Sequence, residues 1–239
     1  DGDWQILKRR LHPRRLKIGN LRGNRFDLLV RGLTDDQSLE LVKRSDALAD
    51  EGYLVNAYGE QRFIDTHALD QAKRLFERGR LRGRKDTFVL SVAQAAIFNR
   101  YLFYRREFSG PISGEWYGTA KGGRFDGERE DSARLQERLE AGEIVSLGPM
   151  LGRDVQPAHQ CLDLVRRACA DLDLEALDWS RFGKRLRGAW RPTVVPVNDL
   201  EAASNEDGVR LRFSLPAGAY ATVLIRRLLE GRWVFPYSQ

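Results

Sequence analysis

Apolar and polar positions alternate at the two ends of the chain and follow a helical period between them. Leu16 and Ile18 alternate with basic residues, and Phe26, Leu28 and Val30 alternate with Asp27, Leu29 and Arg31, which predicts two strands. Residues 19–24, with two Gly and two Asn, supply the turn between them. Thr34 then caps a helix to about Glu51, with Leu39, Val42 and Leu48 as its apolar stripe and Gly52 as its stop. Thr66 caps another, carrying Leu69, Ala72 and Phe76 and ending at Gly79. The longest helix spans about 87–106 and is apolar nearly all round, apart from Ser91, Gln94 and Asn99, so it is expected to be a buried spine. Residues 109–127 hold six glycines and read as an irregular loop around a short strand at 115–117. A short helix follows from Asp131 to Gly142, then a turn-rich link at 148–152. A further helix begins near Pro157, with Cys161, Leu164, Val165, Ala168 and Leu172 inward. Strands return at 193–197, where Pro196 suggests an edge, and at 209–215, the cleanest alternation in the chain. The last strand runs through Pro216-Ala217-Gly218 into a helix containing Val223 and Leu228. That corner either presents free N–H groups to a phosphate or a base carbonyl, or is a plain strand-to-helix turn.

One stretch fits neither period. From Tyr53 to Phe63, three aromatics, a glycine and the polar set Asn56, Gln61 and Arg62 occur within eleven residues. Buried in a strand or helix, each polar group would need its own partner, so the stretch reads as a loop lining a cleft; a turn with chance aromatics is the alternative.

At 239 residues, the chain is long enough for one large domain or two ordinary ones. No apolar run approaches the roughly 18 residues of a membrane span, and the first residues lack a signal-peptide core. The chain does not begin with Met, which leaves open a processed product, a fragment or part of a longer protein. Cys161 and Cys169 are eight residues apart in a helical pattern, about 12 Å along the axis, too far to bridge. The three histidines lack ligand spacing, so no metal site is expected, and a cytoplasmic location fits the cysteine usage.

The net charge of +6 is concentrated in one place. Lys8, Arg9, Arg10, Arg14, Arg15, Lys17, Arg22 and Arg25 fall in eighteen residues without an acid, leaving 32 basic against 34 acidic residues elsewhere. Such a patch suits nucleic acid, because each neutralised phosphate releases counterions; a solvated basic face is the other reading. Two smaller basic clusters occupy residues 78–85 and 181–191, and no G-x-G-x-x-G follows a strand.

Five segments, in order, resemble the tRNA pseudouridine synthase D (TruD) family: RLKIGNLRGNRFDLLVRG, GYLVNAYGEQRF, LSVAQAAIFN, GPMLG and LRFSLPAGAYATVLIRRLL. The chain has Tyr58-Gly59 where the family commonly has Phe-Gly, and Ile64 where a glycine often stands. The resemblance implies an α/β (α+β) fold, a pseudouridine synthase core with a mixed sheet and helices. Residues 1–59 and 193–239 would form part of that core, and 60–192 a largely helical insertion. It implies isomerisation of a tRNA uridine, usually in the D-arm of tRNA(Glu), by a monomer needing neither metal nor organic cofactor. Asn24 and Phe26 match the family's Asn-x-Phe motif and would line the active site, with Tyr220 at the aromatic position after Pro-Ala-Gly. Gln61 and Arg62 would face the cleft, and Lys8, Arg9, Arg10, Arg14, Arg15, Lys17 and Arg22 would hold the RNA.

Such chemistry takes the base out of its stack and needs a carboxylate nucleophile. The family supplies an aspartate in G-x-K-D followed by x-x-A-x-T. Gly83-Arg84-Lys85-Asp86 spells the first half, but Thr87 to Ser91 lack the Ala and Thr, so Asp86 is expected to cap the long helix. The nucleophile is therefore expected to be missing from these residues and the chain alone inactive. An inactive RNA-binding module of the same fold remains as the alternative.

Overall fold

The computed structural model describes residues 9–11, 21–155 and 159–236. The strand expected around Leu16 and Ile18, together with Lys8, Arg14, Arg15 and Lys17, lies outside them. In chain order the elements are β1 (Gly23–Val30), α1 (Asp35–Glu51), β2 (Tyr53–Val55), α2 (Ala68–Arg78) and α3 (Arg84–Arg105). Next come β3 (Trp116–Thr119), β4 (Arg124–Asp126), α4 (Ser132–Glu140), β5 (Ile144–Met150) and α5 (His159–Ala170). The chain closes with β6 (Ala189–Pro192), β7 (Val194–Pro196), β8 (Asn198–Asn205), β9 (Gly208–Pro216) and α6 (Ala221–Glu230). The α/β class holds, and every strand pairing among the described residues is antiparallel.

A three-stranded sheet has the order β1-β9-β8. Val209, Leu211, Phe213 and Leu215 of β9 point inward, as the alternation predicts, while Arg210 and Arg212 point outward to Asp27 of β1. β8 carries no strand signal in the sequence. Asn198–Asn205 is too polar to show the period, and its strand state comes from pairing with β9. Asp199, at φ 53°, lies within the register shift that lets the pair accommodate an extra residue.

α1 packs under this sheet. The Thr34 hydroxyl accepts the Gln37 N–H and the Gln37 side chain accepts the Thr34 N–H, a reciprocal cap; Gly52 at φ 71° ends the helix. Of the expected stripe, Leu48 is buried and Val42 packs partly buried on the core, but Leu39 is 56% exposed, and Leu41 and Ser45 complete the buried face. Ser45 is tolerated there because its hydroxyl donates to the Leu41 carbonyl at 2.8 Å. At α2 the expected Thr66 cap is replaced by Asp65, whose carboxylate accepts from the His67 N–H and the Gln71 side chain.

α3 is the buried spine, with Leu90, Ala93, Ala96, Ile97, Phe98, Tyr101 and Leu102 fully enclosed. One continuous apolar cluster joins it to α1, α2, α5, α6 and the three-stranded sheet. A second sheet, in the order β4-β3-β5-β6, packs on α3. Residues 109–127 are thus a hairpin rather than only a loop, and the 148–152 link is largely the end of β5. Gly148 and Pro149 read locally as breakers, but a Cβ at Gly148 would sit 2.6 Å from the Phe98 ring, so glycine here permits the strand to close on α3. Residues 60–192 accordingly hold four helices and this sheet. Below the sheet, the side chains of Arg105 and Glu115 form a fully enclosed two-pronged pair at 2.6 and 2.8 Å, with the Tyr101 hydroxyl donating to Glu115.

Candidate functional site

The Tyr53–Phe63 stretch opens in a separate two-stranded sheet and is shaped by partners from several elements. β2 pairs with β7, and the chain beyond it is fastened by two polar side chains. Asn99 of α3 accepts the Tyr58 N–H at 2.8 Å and donates to the Tyr58 carbonyl at 2.9 Å, which accounts for an amide buried in an apolar helix. Arg191 of β6 donates to the Asn56 backbone and side-chain oxygens and to the Gly218 carbonyl, at 3.1, 2.5 and 3.0 Å. It thereby ties the loop after β2 to the Pro216-Ala217-Gly218 turn. Gly59 follows, where a Cβ would lie 2.5 Å from the Thr222 hydroxyl and 2.9 Å from the Tyr220 ring, so only glycine lets the loop meet the start of α6. Residues 60–63 then form a single 3-10 turn.

These contacts converge on Tyr58. Its ring meets Tyr220 at 5.7 Å and Phe98 edge-on at 6.0 Å. The guanidinium of Arg191 lies 4.2 Å from its centroid and that of Arg62 5.7 Å. Arg62 also donates to the Ser91 hydroxyl at 2.6 Å and covers Phe88 at 4.9 Å. Among the described residues, the hydrogen bonds of both arginines go to neutral oxygens, and Arg62 Nε is buried without a partner. Burial pulls the Arg191 guanidinium below its ordinary value, and the Arg62 charge adds to that effect. Burial likewise raises the Tyr220 hydroxyl against the opposing charges of Arg62 and Arg191. The result is concentrated positive charge on an aromatic wall, suited to an anion or to the face of a base.

Of the residues singled out from sequence, Arg62 and Tyr220 meet on Tyr58. Gln61 is exposed on the same turn. Asn24 is exposed opposite Leu215, at the end of the sheet where β9 enters the Pro216-Ala217-Gly218 turn. Phe26 stacks on Phe213 at 5.1 Å, so one of its faces belongs to the core. Arg9, Arg10 and Arg22 are exposed. Asp86 is not the N-cap by position. It lies in the first turn of α3, where its carboxylate accepts the Arg82 N–H at 2.7 Å and pairs with Arg78, contacts that hold its carboxyl below the usual range.

A groove that no local sequence pattern marks opens beside Tyr58. Two adjoining parts of about 570 and 580 Å³ share Thr87, Ser91 and Arg185. Arg82 and Arg84 line one side, Lys184, Arg185, Arg187 and Arg191 the other, and no acidic residue lines either part. The basic clusters at 78–85 and 181–191 are about a hundred residues apart, and tertiary contacts bring them together, among them the Arg185 guanidinium donating to the Leu81 carbonyl at 2.6 Å and Phe76 packing on Phe182. Among the described residues, no group of three or more His, Cys, Asp or Glu could hold a metal ion, and no helix is long and apolar enough to cross a membrane.

The fold has a counterpart among solved structures. A crystal structure described as tRNA pseudouridine synthase D (TruD) from Methanosarcina mazei superposes with a TM-score of 0.70, covering 92% of this chain and 71% of that one. Its 16% identity establishes a shared fold. In sequence, the family model described as tRNA pseudouridine synthase D (TruD) matches residues 2–70 and 81–228. A tRNA pseudouridine synthase D of Haemophilus influenzae (strain 86-028NP) is 31% identical over 95% of this chain and 67% of its own length. One of Methylococcus capsulatus is 35% identical over 96% of this chain and 68% of its own. The chain belongs to the tRNA pseudouridine synthase D family, whose members are isomerases.

Proposed function

We propose that this chain binds tRNA across the groove beside Tyr58 and serves the isomerisation of a uridine to pseudouridine, in the cytoplasm and on the D-arm of tRNA(Glu). The observation that carries the reading is the aromatic wall of Tyr58 and Tyr220, backed by Arg62 and Arg191, at the mouth of a groove lined by six basic side chains and no acid. A uridine drawn from its stack loses stacking energy that aromatic rings partly restore, while the groove neutralises the flanking phosphates. Asn24 and Phe26 would close the pocket from β1, with Gln61 at its rim. Arg9, Arg10 and Arg22, together with Lys8, Arg14, Arg15 and Lys17, would extend the RNA surface. Residues 1–59 and 193–239 would form the synthase core and 60–192 the insertion.

The reaction needs a carboxylate that attacks the ribose or base and then departs. The only G-x-K-D in these 239 residues is Gly83 to Asp86, without the downstream Ala and Thr. Its carboxylate is already engaged by Arg82 and Arg78. The nucleophile would therefore come from residues other than these. The test is tRNA incubated with the 239-residue chain, with binding followed by filter retention and pseudouridine by carbodiimide labelling. Retention of tRNA without pseudouridine is expected. Pseudouridine formation would overturn the account of the nucleophile, and failure to retain tRNA would overturn the functional reading itself.

A further inference from the structure

We propose that the open face of the four-stranded sheet is a stacking platform for an unpaired RNA base, built from Trp116 and Trp190. Trp116 of β3 lies opposite Leu147, and Trp190 of β6 lies opposite Pro149, two residues further along β5. Side chains two apart on a strand share a face, so both indoles lie on the same side of the sheet. That side faces away from α3, because Gly148, between Leu147 and Pro149, is the residue that abuts Phe98 and Tyr101. The indoles stack at 5.3 Å with 24° between their planes, and the Arg124 guanidinium covers Trp116 at 5.8 Å. Both rings are partly exposed and Arg124 is exposed.

Two stacked, partly exposed indoles form a contiguous apolar surface rimmed by polar residues, the kind of patch that marks an interaction site. Their position says what does. β6 is the edge strand, and Trp190 lines the basic groove beside Lys184, Arg185 and Arg187, while its neighbour Arg191 reaches from the opposite face to Tyr58. The column from Arg124 through Trp116 to Trp190 thus ends where a phosphate backbone would run. Aromatic stacks beside basic grooves hold unpaired bases irrespective of sequence. The basic side chains beside Trp190 favour an anionic partner over a purely apolar one, and a duplex offers no free base face. The platform would hold an unpaired nucleotide flanking the one that reaches Tyr58, and it rests on the reading that this chain binds tRNA.

Affinity for tRNA is compared between wild type, W116L, W190L, W116F and W190F, each checked for an unchanged melting transition. Leucine keeps apolar cover but removes the π face; phenylalanine keeps both. The leucine variants are expected to bind roughly 5- to 100-fold more weakly, with the phenylalanine variants close to wild type and the salt dependence unchanged in all. Quenching of tryptophan emission by a short oligouridine, measured on wild type and W190F, gives a second readout if a leucine variant does not fold. Quenching that shrinks in W190F supports the platform. Wild-type affinity in both leucine variants, or quenching that is absent or unaltered by W190F, overturns the platform alone. Absence of tRNA binding by the wild type overturns the functional reading with it.

Discussion

Removing either member of the Arg105–Glu115 pair leaves the other charge enclosed, since neither side chain is exposed and the groups around them, Tyr101, Tyr117, Phe108 and the Gly110 carbonyl, carry no compensating charge. Stranding a buried charge typically costs about 3–5 kcal/mol. Glu115→Gln or Arg105→Met should lower unfolding stability by about that amount in urea titrations, whereas loss of an exposed pair such as Arg166–Asp163 should be hard to detect. Cys169 gives a pH signature. Burial pushes its thiol up to about 12 from an ordinary 9.0. A raised folded pKa means the stabilisation is complete below pH 9 and is lost as pH rises from 9 toward 12, because the unfolded thiol ionises first. Urea midpoints measured from pH 8 to 11 should fall, and fall less steeply in Cys169→Ala.

At the scale of elements, the fastening of the Tyr58 loop to α3 hangs on one amide. Asn99→Leu fits the helix but leaves the Tyr58 N–H and carbonyl unpaired, so stability should drop by about 1–3 kcal/mol in the same titration. Elements with a strong local signature could be read directly. α1 follows from Thr34 and Gly52, α3 from its apolar run, and β9 from its alternation. Elements whose state is decided by a partner could not. β8 owes its strand to β9, and β5 carries Gly148 and Pro149 through a strand because α3 requires the close approach. The site divides in the same way. Arg62 and Tyr220 stand in segments distinctive enough to single out. Tyr58 and Arg191 gain their importance only from convergence across more than a hundred residues of chain. The pairing of the clusters at 78–85 and 181–191 into one groove is likewise a product of packing, although the shared excess of arginine was visible.

For the whole molecule, the basic residues fall into two kinds. Arg210 and Arg212 are engaged by Asp27 on the outer face of the three-stranded sheet, and Arg187 and Arg153 share Asp154. Arg82, Arg84 and Lys184 are exposed along the groove. If the groove carries tRNA through roughly 4–6 phosphate contacts, the logarithm of affinity should fall with the logarithm of salt at a slope of about −0.9 per contact for duplex regions. The decisive measurement is that slope for wild type and for the combined variant R82Q/R84Q/K184Q. A steep wild-type slope, reduced by about one for each contact removed while the melting transition stays in place, is the predicted result. Equal slopes in the two proteins would contradict the assignment of the groove beside Tyr58 as the tRNA site.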